Sequence, residues 1–363
     1  MKPRGILSLL PLIVMSSACP GAEWITPATR ASKPIWGIRG GMVFGLWPAS
    51  LGGKGTGGPR GLIRVGYERD GKTQLINFIA VEPVNQKRAK GFSELEWSTP
   101  DNRRGKRMWA SSPPFSEEPP LPPSGRITHP VAEHPTVEKL SVFLHVEKFH
   151  NGCHPYLLAS IRSDHPEELV LTVYHKPHSA KMQYCILTTT MGNYERLRLL
   201  WLKDEAISSK RLYYGYQGKG FIEKRLYPLK KLFVSPAGDV LVAATTDEDD
   251  PRSVRAAPLR LSWWNYKADK VTQYWRKPKG QYRRDLHLRV NGRAYYWASS
   301  LPIPNGVSFE NFEMREKYYP GQKFVFGITR RTPQELGFPA FPPKRVHGEK
   351  LILAGAPYSW REQ

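Results

Sequence analysis

Leu62-Ile63-Arg64-Val65-Gly66-Tyr67-Glu68-Arg69-Asp70-Gly71-Lys72-Thr73-Gln74-Leu75-Ile76-Asn77-Phe78-Ile79-Ala80 has two competing readings, and the choice between them decides the fold. Gly66 to Thr73 fits the phosphate-loop pattern G-x-x-x-x-G-K-T. A phosphate loop follows a strand and opens a helix whose first amides hold the anion. Here a β-like run resumes near Gln74, and Glu68 and Asp70 would set carboxylates against the phosphate. A hairpin accounts for every residue instead. Two apolar runs flank Asp70-Gly71, the pair that suits a type I′ turn because both central positions need positive φ.

The same turn chemistry recurs outward from this hairpin. Leu232-Phe233-Val234 and Val240-Leu241-Val242 flank Pro236-Ala237-Gly238-Asp239. Leu286, Leu288 and Val290 alternate with Asp285, His287 and Arg289, and Asn291-Gly292 is expected to turn the chain into Ala294-Tyr295-Tyr296-Trp297. Lys323 to Ile328 reads as a further strand. Asn193 to Leu202 is the best helix candidate, with Asn193 as N-cap and Tyr194, Leu197 and Trp201 at near-helical spacing. Ser111 to Pro130 is a proline-rich extended loop. No repeat and no compositional break appears. Strands without intervening helices predict an all-β fold, an antiparallel β-sandwich with one or two short helices, in a single large domain over 23–363.

The N-terminus predicts export. Lys2 and Arg4 precede an apolar run, Gly5 to Met15, that is too short for the roughly 20 residues of a bilayer span. Ser16, Ser17, Ala18 and Cys19 follow, so 1–22 reads as a signal peptide. Cys19 is a lipidation candidate, against which Ser16 stands where a large aliphatic residue is usual; cleavage after Ala18 or Ala22 is the rival. The expected location is periplasm, cell surface or exterior, with membrane contact only through such an anchor. Cys153 and Cys185 are then an even pair in an oxidising compartment. Bridged, with α-carbons within about 7 Å, they would contribute about 3–4 kcal/mol; two buried free thiols are the alternative.

The 363 residues include 33 prolines and 31 glycines, 40% apolar and 12% aromatic residues, and carry a formal charge of +22. That surplus suits nucleic acid or an anionic surface. Export and the spread of the charge argue against nucleic acid and for anionic polysaccharide, lipopolysaccharide or acidic lipid. The densest basic clusters are Arg103 to Arg107 and Lys210 to Lys231.

Several motifs carry no chemistry. Gly53, Gly55 and Gly58 satisfy G-x-G-x-x-G, but Pro59 and an extended run remove the helix that a dinucleotide site needs. Asp247 to Asp250 lacks the glycine and distal glutamate of a calcium loop and reads as a solvated turn. His145, His150 and His154 match no familiar zinc spacing, so no metal or other cofactor is expected. No G-x-S-x-G elbow is present.

Three patches mix charge with glycine or aromatic residues. They are Trp36-Gly37-Ile38-Arg39-Gly40-Gly41 with Trp47, Asn77-Phe78-Ile79-Ala80-Val81-Glu82, and Ser308-Phe309-Glu310-Asn311-Phe312-Glu313-Met314-Arg315-Glu316 before Pro320-Gly321-Gln322. Arg39, Trp47, Arg60, Asn77 and Glu82 are the candidate ligand contacts. Arg39, Glu82, Glu310 and Glu313 are expected to share one cleft, as opposed to lying scattered over the surface. Together with Thr188 to Asp204, these patches resemble an uncharacterised family of exported bacterial proteins. Phe-Glu-Asn-Phe-Glu and Pro-Gly-Gln also resemble galactose-mutarotase-like β-supersandwiches, which bind or transform carbohydrates. That resemblance implies a late glutamate, Glu310 or Glu313, as base and a histidine, His145 or His175, as acid. The leading expectation is an exported carbohydrate-binding or carbohydrate-processing protein, suited to acidic glycans. The rivals are a non-catalytic envelope protein docking on anionic polymer or lipid, and a metal-dependent hydrolase using His145 to His154.

Overall fold

The computed structural model describes residues 21–28, 34–46, 60–87, 90–114, 125–128, 136–190, 195–251, 269–296, 300–341, 343–346 and 350–353. Residues 1–20 of the signal region with Cys19, Trp47, and the glycine-rich stretch 53–58 lie outside these residues.

The first strands are β1 Trp24–Ile25, β2 Ile35–Ile38, β3 Met42–Leu46, β4 Leu62–Arg69, β5 Lys72–Asn85, β6 Met108–Ser111 and β7 Arg126–Thr128. The middle of the chain gives β8 Lys139–Val146, β9 Pro155–Arg162, β10 His165–His175, β11 Met182–Thr190, β12 Leu197–Trp201 and β13 Ala206–Ser208. Then come α1 Ser209–Leu212, β14 Arg225–Pro228, β15 Phe233–Val234, β16 Val240–Thr246, β17 Thr272–Lys277 and β18 His287–Arg293. The last are β19 Ser308–Arg315, β20 Gln322–Thr329, β21 Pro343–Val346 and β22 Lys350–Leu353.

All pairings are antiparallel, and the strands form two large sheets. The first runs β1-β2-β3-β4-β5-β11-β19-β18-β14; the second runs β13-β12-β16-β17-β20-β10-β9-β8-β6, with β15 beside β16 and β7 beside β8. The all-β sandwich read from the sequence is the observed fold. Its decisive hairpin closes as expected: Arg69 pairs with Lys72 across Asp70 at φ 52 and Gly71 at φ 73. The Phe233–Val234 and Val240–Leu241 hairpin and the strand over Lys323 to Ile328 also form.

Period-2 alternation supplies the core. Leu140, Val142 and Leu144 of β8 point between the sheets, as do Ile79 and Val81 of β5, with each buried aliphatic side chain contributing about 1.5–3 kcal/mol. Two polar contacts cross the same interior. Trp275 Nε1 donates to Phe312 O at 3.1 Å, and Asn77 Nδ2 donates to Gln273 Oε1 at 2.7 Å.

Three local expectations are corrected. Leu197 and Trp201 belong to a strand, not a helix, since β12 pairs with both β13 and β16. Its two faces are both buried, so apolar residues recur without alternation and fit helical spacing by coincidence. Asn193 and Tyr194 lie outside the described residues. Asn291-Gly292 does not turn the chain. β18 continues through it, and its ladder with β19 shifts between Val290 and Gly292. A Cβ on Gly292 would sit 2.9 Å from both Ser308 O and the Tyr213 ring. The glycine therefore serves close approach. Within the proline-rich stretch, Arg126–Thr128 is not loop but strand β7 on the edge of β8.

Candidate functional site

Alternation that sends Ile79 and Val81 inward sends Ala80 and Glu82 to the outer face of the first sheet. Thr188 of β11 pairs with Ala80 and shares that face. Thr189 faces Phe312 of β19, which puts the neighbouring Glu313 on the outer face beside Thr188. Over this surface fold the segment Phe92 to Leu95, between β5 and β6, and Phe221 to Lys224, ahead of β14. Together they enclose a cleft of about 430 Å³. Glu82, Glu94 and Glu310 line it, with Lys224, Asn291 and Asn311, while Phe92 and Phe221 supply ring faces. The shift in the β18–β19 ladder explains how adjacent Glu310 and Asn311 both reach the cavity.

The acids are strongly coupled. Burial pushes the Glu82 carboxyl well above the usual carboxylate range, and the charges of Glu94 and Glu313 push it further. Burial also raises Glu94, and hydrogen bonds with its own backbone, then Ser93, then Glu82 draw it partly back. Like charges this close oppose one another's ionisation. Glu313 is fully buried beside them, and both its oxygens accept from Lys224 Nζ, at 3.1 and 3.2 Å. The cleft thus offers carboxyl groups whose ionisation is opposed, an ammonium group and two amides around apolar rings.

Of the four residues expected in one cleft, Glu82 and Glu310 line this one, and Glu313 is buried against it through Lys224. The remaining candidates lie elsewhere. Arg39 sits at the mouth of a separate groove of about 950 Å³, with Nε donating to Glu23 at 2.8 Å and an ion pair to Glu68 at 3.4 Å. Its neighbouring glycines form the β2–β3 turn and line that groove, away from the cleft. Arg60 is buried and grips Asp101 through two hydrogen bonds of 2.5 and 2.9 Å, an ion pair internal to the protein. Asn77 is sealed between the sheets.

The histidine–glutamate pairing is also corrected. No histidine lines the cleft among the described residues, because His145 and His175 belong to β8 and β10 of the other sheet. His145 is buried between the rings of Trp109 and Tyr156, at 5.6 and 5.8 Å. Burial, then Lys176, pushes it down to about 4, so the ring is neutral. Its Nε2 lies 2.7 Å from Ser111 Oγ, whose own proton goes to Pro113 O. Its Nδ1 has no partner, so no carboxylate orients it for nucleophilic catalysis. His175 is exposed and meets Tyr318 Oη at 3.0 Å. Among the described residues no three His, Cys, Asp or Glu side chains are placed to hold a metal ion.

Cys153 and Cys185 are both buried free thiols, not the expected disulfide. Both sit in the main core cluster. Asp247 and Glu248 are not a solvated turn either, since Arg196, Arg198 and Lys210 bind them. Glu94 and Lys224 are the cleft residues that sequence reasoning missed. The signal was present in Phe92-Ser93-Glu94-Leu95, where an acid stands among apolar groups as in Ser308 to Glu316.

No protein-family model matches the chain, and no curated protein matches its sequence. One solved structure overlaps it. That structure, titled "Crystal Structure Analysis of HI1317", is 9% identical, with 85% of this chain and 99% of that chain covered at a TM-score of 0.21. An overlap of that score carries no inference about activity.

Proposed function

We propose that the cleft on the outer face of the first sheet binds a carbohydrate. The observation that carries this is the convergence of Glu82, Glu94 and Glu310, from three separate chain segments, on one cavity of about 430 Å³ beside Phe92 and Phe221. A sugar presents hydroxyls, each donor and acceptor, along its edges and apolar C–H groups on its faces. In a carboxyl pair, a protonated member can donate to one hydroxyl and an ionised one accept from another. Ring faces suit the apolar side, and the volume falls in the range of small-molecule sites.

Processing, if the protein carries it out, would use the same pair. The protonated member gives a proton to a ring or leaving oxygen and its partner receives one. In the galactose-mutarotase-like reading the acid is then a carboxyl, with Glu310 as the late glutamate and no histidine. Glycan-array screening followed by calorimetry tests binding. Glu82→Gln and Glu310→Gln are each expected to weaken it about tenfold or more, the loss of one charge-assisted hydrogen bond; unchanged affinity in both would overturn the assignment.

Export of the chain, with processing near Cys19 or Glu23, belongs to the same proposal. Intact mass of protein from its native host checks it, and a retained Met1 to Ala18 would refute it.

A further inference from the structure

Beyond the cleft, basic side chains gather at the end of the first sheet where β5 and β19 finish, with Glu313 the carboxylate among them. Across the β18–β19 ladder Arg289 faces Glu313 and His287 faces Arg315. Glu313 gives both oxygens to Lys224. Arg289 Nε is buried without a hydrogen-bond partner, as is Arg315 Nε, and the Arg315 guanidinium lies over the Tyr184 ring at 3.9 Å. These cations feel one another: burial and then Arg289 lower the affinity of Arg315 for its proton, and Glu313 and Tyr184 offset this only in part. Lys317 follows Arg315 by two positions and leads into a groove of about 680 Å³. Lys87, Lys181, Lys317 and Arg283 line that groove, and no acidic side chain does among the described residues. Asp285 stands nearby, 3.5 Å from Arg283.

We infer that this stripe and groove form a subsite for the carboxylate or sulfate groups of an acidic polysaccharide whose sugar ring occupies the cleft. The sugar chemistry rests on the proposed function, whereas the anion chemistry rests on the adjacent arginines and on a groove lined by four cations and no acid among the described residues. Cations held together at partial burial repel one another, and a bound oxyanion removes that cost. Guanidinium forks match planar carboxylates and sulfates in two-pronged geometry. The shape selects the polymer. A groove set in line with a cleft, with Arg289 and Arg315 between them, suits a single strand of polymer, while an array of lipid headgroups calls for a broad basic face.

Calorimetry on the full chain tests this with polygalacturonate, dextran sulfate, neutral dextran and phosphatidylglycerol vesicles. The wild type is expected to bind one of the charged polymers, with affinity falling as salt rises, and to show no such salt-dependent binding of neutral dextran. Lys87→Gln/Lys181→Gln/Lys317→Gln, three exposed positions outside the cleft, is expected to lose about tenfold in affinity and much of the salt dependence. Arg289→Gln/Arg315→Gln should lose at least as much. Polygalacturonate against dextran sulfate separates carboxylate from sulfate. Wild-type affinity in the triple variant, binding to neither charged polymer, or binding to vesicles alone would each overturn the inference. Glu82→Gln/Glu310→Gln keeps the two ideas apart, since failure of the cleft would leave the salt-dependent loss in the lysine variant standing.

Discussion

Lys277 Nζ and Glu316 Oε1 meet at 2.6 Å with neither side chain exposed to solvent. The pair joins the end of β17 in one sheet to the residue after β19 in the other. Gln322 of β20 also donates to Glu316, at 2.9 Å, and the Lys277 ammonium lies 3.8 Å from the centre of the Phe324 ring. Even so, burial outweighs Glu316 and pulls the Lys277 amine down to about 8. A pair of this kind costs little while whole and much when halved. Glu316→Gln should lose about 3–5 kcal/mol in urea unfolding, and adding Lys277→Met should recover a large part of it.

Glu195 ends a chain of polar groups across the core. Asn77 donates to Gln273, and Gln273 Nε2 donates to Glu195 Oε2 at 2.8 Å. The other carboxyl oxygen is buried without a partner. Burial pushes this group from an ordinary 4.5 up to about 8. Below pH 4.5 the folded and unfolded chains both hold the proton, and the group adds nothing. Between 4.5 and 8 the unfolded chain releases it first, so stability falls as pH rises, then levels off. Glu195→Gln should remove this cost. Its advantage in unfolding free energy should be near zero at pH 4.5 and reach at most about 3 kcal/mol at pH 7. An advantage independent of pH would contradict the assignment.

The fold was legible because its hairpins announce themselves. Asp70-Gly71 needs no tertiary context to favour a type I′ turn, and the strands beside it alternate. Legibility failed where tertiary packing replaced local pattern. Leu197 and Trp201 lie in a strand buried on both sides, and Gly292 is required by the approach of Ser308 and Tyr213. The site was half legible. Glu82 and Glu310 stand out because a carboxylate among apolar strand residues is costly unless it has a partner. Arg39 and Arg60 passed the same test for another reason, one sitting at a glycine turn and the other in an internal ion pair. Glu94 and Lys224 come from loops, where no periodicity tells which way a side chain points.

The hairpin turn gives a local test. Gly71 has φ 73, and a Cβ there would meet nothing within 4 Å. The cost of Gly71→Ala is therefore conformational alone, about 1–2 kcal/mol. Asp70 also sits at positive φ, where Asn serves as well, so Asp70→Asn should leave thermal stability nearly unchanged. A comparable loss in both variants would mean that the turn is held by side-chain contacts instead.

The two thiols should be inert in the folded protein. Burial raises Cys153 to about 11 and Cys185 further, with Cys153 adding to the rise at Cys185. The thiolate is the reactive form, so iodoacetamide at pH 8 should leave the native protein unlabelled and modify both residues in denaturant. Failure to label after unfolding without reductant, cured by reductant, would show that the bridge forms after all.

The final prediction concerns the proton in the cleft. Glu82 is raised by burial and then by the negative charges of Glu94 and Glu313, against which Lys224 and Arg315 act. Glu94 is raised as well. An isolated buried acid would be protonated through desolvation alone, whereas a pair with a hydrogen bond between its members should respond to loss of either one. Glu94→Gln removes a neighbouring charge and should move the Glu82 titration toward ordinary carboxylate values. Lys224→Met removes a compensating cation and should move it upward. Carboxyl-carbon NMR of the wild type and both variants reads these shifts directly. Opposite displacements would establish that Glu94 and Lys224 set the protonation of Glu82 from opposite sides. Glu82 titrating in the usual carboxylate range in the wild type would remove the acid proposed for any chemistry in this cleft.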